Sequence, residues 1–333
     1  MRSTRRRGGD AGGGPAGGPV KHEPQGPDPR EATVWPGWCC SYCAAPLEAR
    51  PHGLFCAAEG RYFATHEGVH RLLPDERRRE LLAGLELYQR VRRDEGWRAG
   101  PTLPAVPEAH PHAAVWAQRQ ARFRQAIGLL GDRLGRGPWR VLEVGAGCCW
   151  ASIRLLERGH RVCATDVNMD PEDGLLAAER VDARGRDLPR AESDMEALPI
   201  EPGAFDLVLA AGALHHAQHL TRTLVELRRV TQRGGVLLVL DSPVYRRRED
   251  GEAMVAARMR DLSRRYGLPV GREGQSSYLV LGEIEALFRG AGWRAEVHGW
   301  PSLPAELGRD LVALTRPGRR TARFPIVLAR RDG

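Results

Sequence analysis

The chain has 333 residues, of which 42% are apolar, enough to bury a sizeable core. It has no run of about 18 uninterrupted apolar residues, and no hydrophobic segment follows its charged amino terminus, so we expect a cytoplasmic protein with no membrane span or signal peptide. The formal net charge is +8, but the basic residues are almost all arginines scattered through every segment, which favours a solvated surface over a nucleic-acid-binding face.

Composition divides the chain into four parts. Residues 1–33 are rich in Gly, Pro and Arg, which predicts a disordered tail, and residues 34–74 hold four of the seven cysteines, which predicts a small module. Residues 75–135 read as a helical linker or lid: a helix from residue 75, a proline-rich break and a second helix at about 113–134. Residues 136–333 form the main domain.

Strands and helices alternate through the main domain. Strands are predicted at 139–144, 160–165, 204–210 and 236–240, each followed by a helix, with a weaker strand at 188–193. A helical insert at about 252–266, a helix within 276–293 and two late strands, within 294–300 and 322–330, follow. This pattern predicts an α/β fold with a doubly wound, mostly parallel sheet.

The segment "EVGAGCCW", residues 143–150, joins the first predicted strand to its helix. Glycines here let the backbone approach a ligand closely, but a dinucleotide site would need a small residue where Trp150 stands, and Glu143 would repel phosphate. A carboxylate suits a cationic ligand such as S-adenosylmethionine, which has an ammonium, a sulfonium and no phosphate. Asp166 ends the second predicted strand, where a carboxylate can accept ribose hydroxyls. The alternative is that both acids are ordinary strand-end residues.

These residues resemble the first motif of the class I S-adenosylmethionine-dependent methyltransferases (type 11, or UbiE-like), with Cys149 in place of the third glycine. The stretches "ATDVN", "SDMEALPIEPGAFDLVLAAGALHHAQH" and "LRRVTQRGGVLLVLDSP" are similar to the later motifs, over about residues 140–242. The resemblance implies a seven-stranded Rossmann-like sheet, with Asp194 and Met195 at the adenine. The implied cofactor-binding set is Glu143, Gly145, Ala146, Gly147, Asp166, Val167, Asp194, Met195 and Ala211.

Methyl transfer is an in-line displacement, so positioning supplies most of the catalysis and a base is needed only when the acceptor must lose a proton. The stretch "ALHHAQH" follows the fourth predicted strand and places His215, His216 and His219 at the mouth of the cleft. One interpretation makes His215 or His216 the residue that orients or deprotonates the acceptor. The other is that these histidines shape the cofactor pocket or cap the next helix. Cys148 and Cys149 are interpreted as small packing residues.

The cysteine module contains a Cys40-x2-Cys43 pair and Cys56, an incomplete zinc signature, since structural zinc takes four ligands. Glu59 stands where a zinc ribbon places its fourth ligand; Cys39, His52 and His66 are alternatives. Through "CxxCxxPL" and "EGVHRLLP" the segment resembles the zinc ribbon of bacterial rRNA guanine methyltransferases and of methyltransferase partner proteins, which implies bound zinc. The other interpretation is a ribbon held by hydrophobic packing without a metal.

Three functions follow from these patterns. The leading hypothesis is transfer of a methyl group from S-adenosylmethionine to an O, N or C atom of a small organic acceptor, with the insert and the helices before residue 140 as a lid. The second is an rRNA or tRNA base methyltransferase, based on the ribbon and the charge. The third is a non-catalytic S-adenosylmethionine-binding partner module. The acceptor and the oligomeric state stay open.

Overall fold

A computed structural model describes residues 35–267, 277–300 and 322–332, so the predicted tail lies outside the described residues. The strands are β1 (Glu48–Arg50), β2 (Gly53–Cys56), β3 (Arg61–His66), β4 (Val69–Arg71), β5 (Arg140–Val144), β6 (Arg161–Asp166), β7 (Arg190–Glu192), β8 (Phe205–Ala211), β9 (Thr231–Leu240), β10 (Val244–Tyr245), β11 (Leu279–Val280), β12 (Trp293–His298) and β13 (Ile326–Arg331). Eleven of them form one sheet in the order β1-β2-β3-β4-β7-β6-β5-β8-β9-β13-β12.

The seven strands from β7 to β12 confirm the predicted doubly wound sheet. Strands β7, β6, β5, β8 and β9 are parallel, whereas β13 runs antiparallel to β9 and to β12. Strand β5 pairs with β6 on one side and with β8 on the other, so the strand order reverses there. Ligands of open α/β sheets bind in the crevice beyond the carboxyl ends of the strands at such a point.

The cysteine-rich segment is hydrogen-bonded to the main sheet. Strands β1, β2, β3 and β4 form an antiparallel series, and β4 pairs in parallel with β7, with Val69 opposite Arg190 and Arg71 opposite Glu192. Buried Trp38 and Leu54 belong to the same apolar cluster as Leu142 of β5. The segment and the methyltransferase-like sheet therefore share one set of backbone hydrogen bonds and one core.

The helices are α1 (Asp75–Asp94), α2 (Ala113–Leu134), α3 (Trp150–Leu156), α4 (Ala178–Val181), α5 (Leu220–Val230), α6 (Arg248–Tyr266) and α7 (Ile284–Gly290). Helix α2 has the predicted bounds and buries Trp116 and Phe123, which contact Trp150 edge-on at centroid distances of 5.7 and 5.3 Å. Trp150, which argued against a dinucleotide turn, thus anchors α3 to α2. None of the described helices combines the length and apolar character needed to cross a bilayer.

Helix α1 packs less deeply than α2, because Val91 is its only buried residue. Leu82 is 49% exposed. At its carboxyl end α1 meets the predicted insert, helix α6: Tyr266 Oη donates to Asp94 at 2.8 Å, and Arg258 pairs with Glu95 at 2.8 Å. Polar contacts therefore hold much of α1, and they join it to α6.

Candidate functional site

The turn after β5 requires its two glycines. Gly145 and Gly147 have φ of +60° and +50°, and a Cβ on Gly145 would lie only 2.4 Å from the Cβ of Ala213, which follows β8. A side chain at residue 145 would thus clash with the neighbouring strand's loop. Cys149, in place of the third glycine, also has a left-handed φ, of +62°, and is fully buried. The backbone at Cys149 therefore has the left-handed conformation that a glycine would adopt without strain.

Asp166, at the end of β6, closes this turn from the side. Its Oδ2 accepts a hydrogen bond from the Gly147 N–H at 2.7 Å, and its Oδ1 accepts one from the Asn168 N–H at 2.8 Å. Burial raises the pKa of Asp166 to about 6, although these amide hydrogen bonds oppose the shift. Each carboxylate oxygen has a second lone-pair site, so Asp166 can still accept hydroxyl donors. Val167 follows it and is partly exposed.

Glu143 is 1% exposed and faces helix α3. Its Oε2 accepts hydrogen bonds from the N–H of Ser152, at 2.8 Å, and from the Ser152 hydroxyl. Burial raises the pKa of Glu143 to about 7, against the effect of both Ser152 bonds. Glu143 therefore connects β5 to α3, the helix that follows the turn. A cation nearby would favour its ionised form.

The predicted adenine-binding residues, Asp194 and Met195, lie just after the end of β7. Asp194 Oδ1 accepts from the Glu196 N–H at 2.9 Å, and its Oδ2 accepts from Arg77 Nε of α1 at 2.7 Å. The Met195 Cε would be 3.5 Å from a Cβ on Gly145, so the structure brings these two predicted residues together. Ala146, which is buried in the turn, and Ala211, the last residue of β8, complete the predicted set.

His215 and His216 lie in a short helical turn directly after β8. Their rings are 4.1 Å apart, His215 Nδ1 lies 3.2 Å from the Ser242 hydroxyl, and His216 meets the Tyr88 ring of α1 edge-on at 5.8 Å. Desolvation by neighbouring groups, followed by the charge of Arg92, lowers the pKa of His216, which keeps an exposed edge, to about 4; desolvation also lowers the pKa of the half-buried His215 well below its usual value. Both imidazoles are thus neutral near pH 7, the form that can accept a proton.

Helix α1, which the sequence suggested as part of a linker or lid, lies over the carboxyl ends of three strands. Besides contacting Asp194, Arg77 Nη2 donates to Gln218 after β8 at 2.8 Å. Gln89 Nε2 donates to Asn168 after β6 at 2.9 Å, and Arg92 pairs with Asp173 at 2.5 Å. The helical periodicity of α1 predicts a helix but does not say which loops its arginines reach.

Cys148 and Cys149, which the sequence indicated as packing residues, are buried beside the turn, and burial raises the pKa of the Cys148 thiol to about 12. A thiol that stays protonated is a poor nucleophile. Their packing role agrees with this geometry.

The cysteine ribbon brings together three of its four predicted ligands. The Sγ atoms of Cys40, Cys43 and Cys56 lie within 4.8 Å of one another, and among the described residues the Glu59 carboxylate does not join this group. Burial works against ionisation of Cys56, but amide hydrogen bonds from Glu59 and Ala58 and bonds from the neighbouring thiols lower its pKa. Glu59 thus contributes its backbone amide. The donor set suits a thiophilic divalent metal such as zinc with one position left for another ligand.

Comparison with known proteins identifies the domain. Residues 142–239 match the family model described as "Methyltransferase domain". An uncharacterised protein of Mycobacterium tuberculosis is 39% identical over 149 residues, which are 42% of this chain and 53% of that protein. Demethylmenaquinone methyltransferase of Thermus thermophilus is 32% identical over 120 residues, 36% of this chain and 53% of that protein. The chain thus spans about half the length of these curated relatives.

Two further proteins are similar over longer stretches. Malonyl-[acyl-carrier protein] O-methyltransferase of Geobacter sulfurreducens is 28% identical over 204 residues, 58% of this chain and 72% of that protein. The crystal structure of 1,6-didemethyltoxoflavin-N1-methyltransferase from Burkholderia thailandensis, with S-adenosylhomocysteine bound, superposes with a TM-score of 0.44 at 21% identity, covering 76% of this chain and 90% of that one. The family match begins in β5, includes the glycine turn and ends in β9, so residues 142–239 are the part of the chain that matches a methyltransferase domain.

Proposed function

We propose that this protein transfers a methyl group from S-adenosylmethionine to an O, N or C atom of a small organic acceptor. The observation that carries the proposal is the contact between Asp166 and Gly147, which joins the ends of β6 and β5 at the point where the strand order reverses. A turn and a strand-end acid held together in this way suit a ligand with a ribose.

The residues of the crevice fit the cofactor. Asp166 would accept the ribose hydroxyls, Asp194 and Met195 would hold the adenine, and the turn at Gly145 would admit the amino-acid end close to its backbone. When Glu143 is ionised, its buried carboxylate adds negative potential behind that turn, which favours a cationic ligand. The bound cofactor supplies an electrophilic methyl group; this chain's residues hold the reactants and exclude water.

Two observations support a small acceptor. Helix α1 bridges the loops after β6, β7 and β8, which narrows the access to the crevice, and α6 is joined to its end. By name, the Thermus relative acts on demethylmenaquinone and the Geobacter relative on malonyl-[acyl-carrier protein]. His215 and His216 are proposed to orient or deprotonate the acceptor, since they lie beside α1 at the mouth of the crevice.

One surface of the ribbon supports RNA as the alternative acceptor. Arg61 stacks on Tyr42 at 3.9 Å, and Tyr62 is 47% exposed, so an aromatic and basic surface lies beside the cysteine cluster. RNA binding of this kind would weaken steeply with salt. The third function, a non-catalytic partner module, would leave cofactor binding intact without any acceptor.

The test is a transfer assay with S-[methyl-³H]adenosylmethionine. Purified protein is incubated with fractionated small-molecule extract and, separately, with total rRNA and tRNA, using Asp166→Asn as the matched control. We expect label in a small-molecule fraction with the wild type and less than about a tenth as much with the variant. Label in RNA would support the alternative, and label in neither fraction would support the partner module.

We also propose a zinc ion held by Cys40, Cys43 and Cys56, with a fourth ligand from outside the cluster. The three sulfurs are close enough to share one ion, and the amides that point at Cys56 stabilise its thiolate. Zinc here would be structural, because the ribbon's β4 continues the main sheet through β7.

A further inference from the structure

The crevice holds more positive than negative charge at one corner, where helix α2 meets the ends of β8 and β9. Arg119 and Arg122 of α2 both face Asp241, which follows β9 and is 6% exposed. Arg122 is hydrogen-bonded to this carboxylate, since its Nε donates to Asp241 Oδ1 at 2.6 Å. One carboxylate thus serves two guanidinium groups, and Arg119 is the surplus cation.

Arg119 has donors to spare. Its Nε is 3.8 Å from Asp241 Oδ2, beyond hydrogen-bond distance, and across the described ranges 35–267, 277–300 and 322–332 it makes no hydrogen bond. Trp97 and Trp116 lie against the guanidinium, with centroids 5.3 and 5.0 Å from its carbon. Such contacts engage the face of the group and leave its N–H donors, which lie in its plane, free for an anion.

Among the described groups that act on Arg119, Asp241 is the one carboxylate, and Arg122 already binds it. Arg92, whose charge also acts on Arg119, is paired with Asp173, and His215 and His216 are neutral at pH 7. The Arg119 side chain is 21% exposed, and no acceptor in the described part of the chain hydrogen-bonds to it, so a bound anion would offset the desolvation cost of this guanidinium.

The position of Arg119 makes it relevant to methyl transfer. Its Nη2 would lie 3.7 Å from a Cβ on Gly212, the residue just before Ala213, which abuts the glycine turn at Gly145. Gly212 also directly follows β8, two residues before the turn that carries His215. The free donors therefore face the corner between the cofactor turn and the mouth of the crevice.

We propose that Arg119 binds a carboxylate within this crevice. A planar guanidinium matches a carboxylate with two parallel hydrogen bonds, and the tryptophans hold it in a fixed plane. The inference rests on the proposed function, and two sources have this chemistry: the amino-acid end of S-adenosylmethionine or a carboxylate on the acceptor.

The experiment has two arms, each with wild type, Arg119→Gln, Arg119→Lys and the control Arg124→Gln, an exposed arginine on the same helix. In the first arm, S-adenosylhomocysteine and 5′-methylthioadenosine, which lacks the amino-acid end, are titrated calorimetrically. In the second, benzoate and its neutral analogue benzamide are titrated by NMR into protein saturated with S-adenosylhomocysteine. Thermal unfolding verifies that each variant is folded, and Arg119→Lys retains the charge if the neutral variant does not fold.

Two results would support the proposal. If Arg119→Gln lowers the affinity for S-adenosylhomocysteine about 10-fold or more, but the affinity for 5′-methylthioadenosine less than twofold, the bound carboxylate belongs to the cofactor. If the substitution leaves the affinity for both nucleosides unchanged, lowers the affinity for benzoate about 10-fold and does not change the affinity for benzamide, the bound carboxylate belongs to the acceptor. Arg119→Lys should lie between the wild type and Arg119→Gln in the affected arm, and Arg124→Gln should match the wild type.

Two other results would overturn it. These are an equal loss for both nucleosides, which would indicate a general structural effect, and no change in either arm. Absence of S-adenosylhomocysteine binding to the wild type would instead reject the proposed function itself.

Discussion

The Oδ2 of Asp166 accepts a hydrogen bond from the Gly147 N–H at 2.7 Å, so the acid at the end of β6 fixes the turn that follows β5. The two residues are 19 positions apart in the chain, and each was predicted separately as a cofactor residue. Their contact means that the turn is shaped before a ligand arrives, which reduces the ordering cost of binding.

Replacing Glu143 with Gln should stabilise the fold at high pH. The pKa of Glu143 is raised from 4.5 to about 7, so this group's cost to stability appears as pH rises through that interval and is fully present above pH 7. At pH 8 we expect the variant's free energy of unfolding to exceed the wild type's by up to about 3 kcal/mol. Urea unfolding at pH 8 and pH 4 measures it, and a gain that is equal at both pH values would contradict the explanation.

Helix α1 should depend on its buried ion pair. Glu192, whose side chain is 3% exposed, is bound by Arg71 and Arg78, and Arg78→Met would leave it with Arg71 alone. We expect a loss of about 2 kcal/mol in the free energy of unfolding, because a buried charge loses a partner. Arg79→Met is the control, since Arg79 is 74% exposed and pairs with an exposed Glu76. Equal effects of the two substitutions would show that the pair is not the cause.

His216 can be tested as the base once an acceptor is known. We expect His216→Ala to lower the rate of methyl transfer about 100-fold or more, the usual worth of a general base, with S-adenosylhomocysteine affinity changed less than threefold. Because the pKa of His216 is about 4, protonation of this group should not reduce the wild-type rate between pH 6 and 9. A rate loss below threefold, comparable with that of the exposed control His66→Ala, would remove the base role.

The ribbon's metal can be tested by composition. Purified wild type should contain about one zinc per chain, Cys56→Ser well under half of that, and Glu59→Gln the wild-type amount, because Glu59 acts through its amide rather than its carboxylate. Inductively coupled plasma mass spectrometry measures the content after exhaustive dialysis. Well under one zinc per wild-type chain would reject the metal and leave a ribbon held by its apolar core.

Local patterns predicted the frame of the molecule well. The strand predicted at 139–144 is β5 at Arg140–Val144, the weakly marked one at 188–193 is β7 at Arg190–Glu192, and α2 has its predicted bounds. These elements depend on patterns of neighbouring residues, namely hydrophobic runs, glycines that need a positive φ and acids at strand ends. Such local patterns can be recognised in the sequence alone.

Features that depend on distant partners were not predicted. Strand β4 has only three residues, and nothing in Val69–Arg71 indicates that it pairs with β7, about 120 residues away. Arg77 and Arg92 look like ordinary solvated residues of a helix until the fold brings Asp194 and Asp173 to them. Glu59 was placed by ligand spacing, which does not distinguish a carboxylate from the amide of the same residue.

Binding of S-adenosylmethionine by the glycine turn and Asp166 is the basis of the proposed function. Its most direct test is calorimetric titration of wild-type protein and Asp166→Asn with S-adenosylmethionine, S-adenosylhomocysteine and NAD. We expect micromolar binding of the first two ligands, none of NAD, and at least about a 10-fold loss in the variant, because Asn cannot accept both ribose hydroxyls while also bonding Gly147. Absence of S-adenosylmethionine binding, or equal binding by the variant, would contradict the proposal.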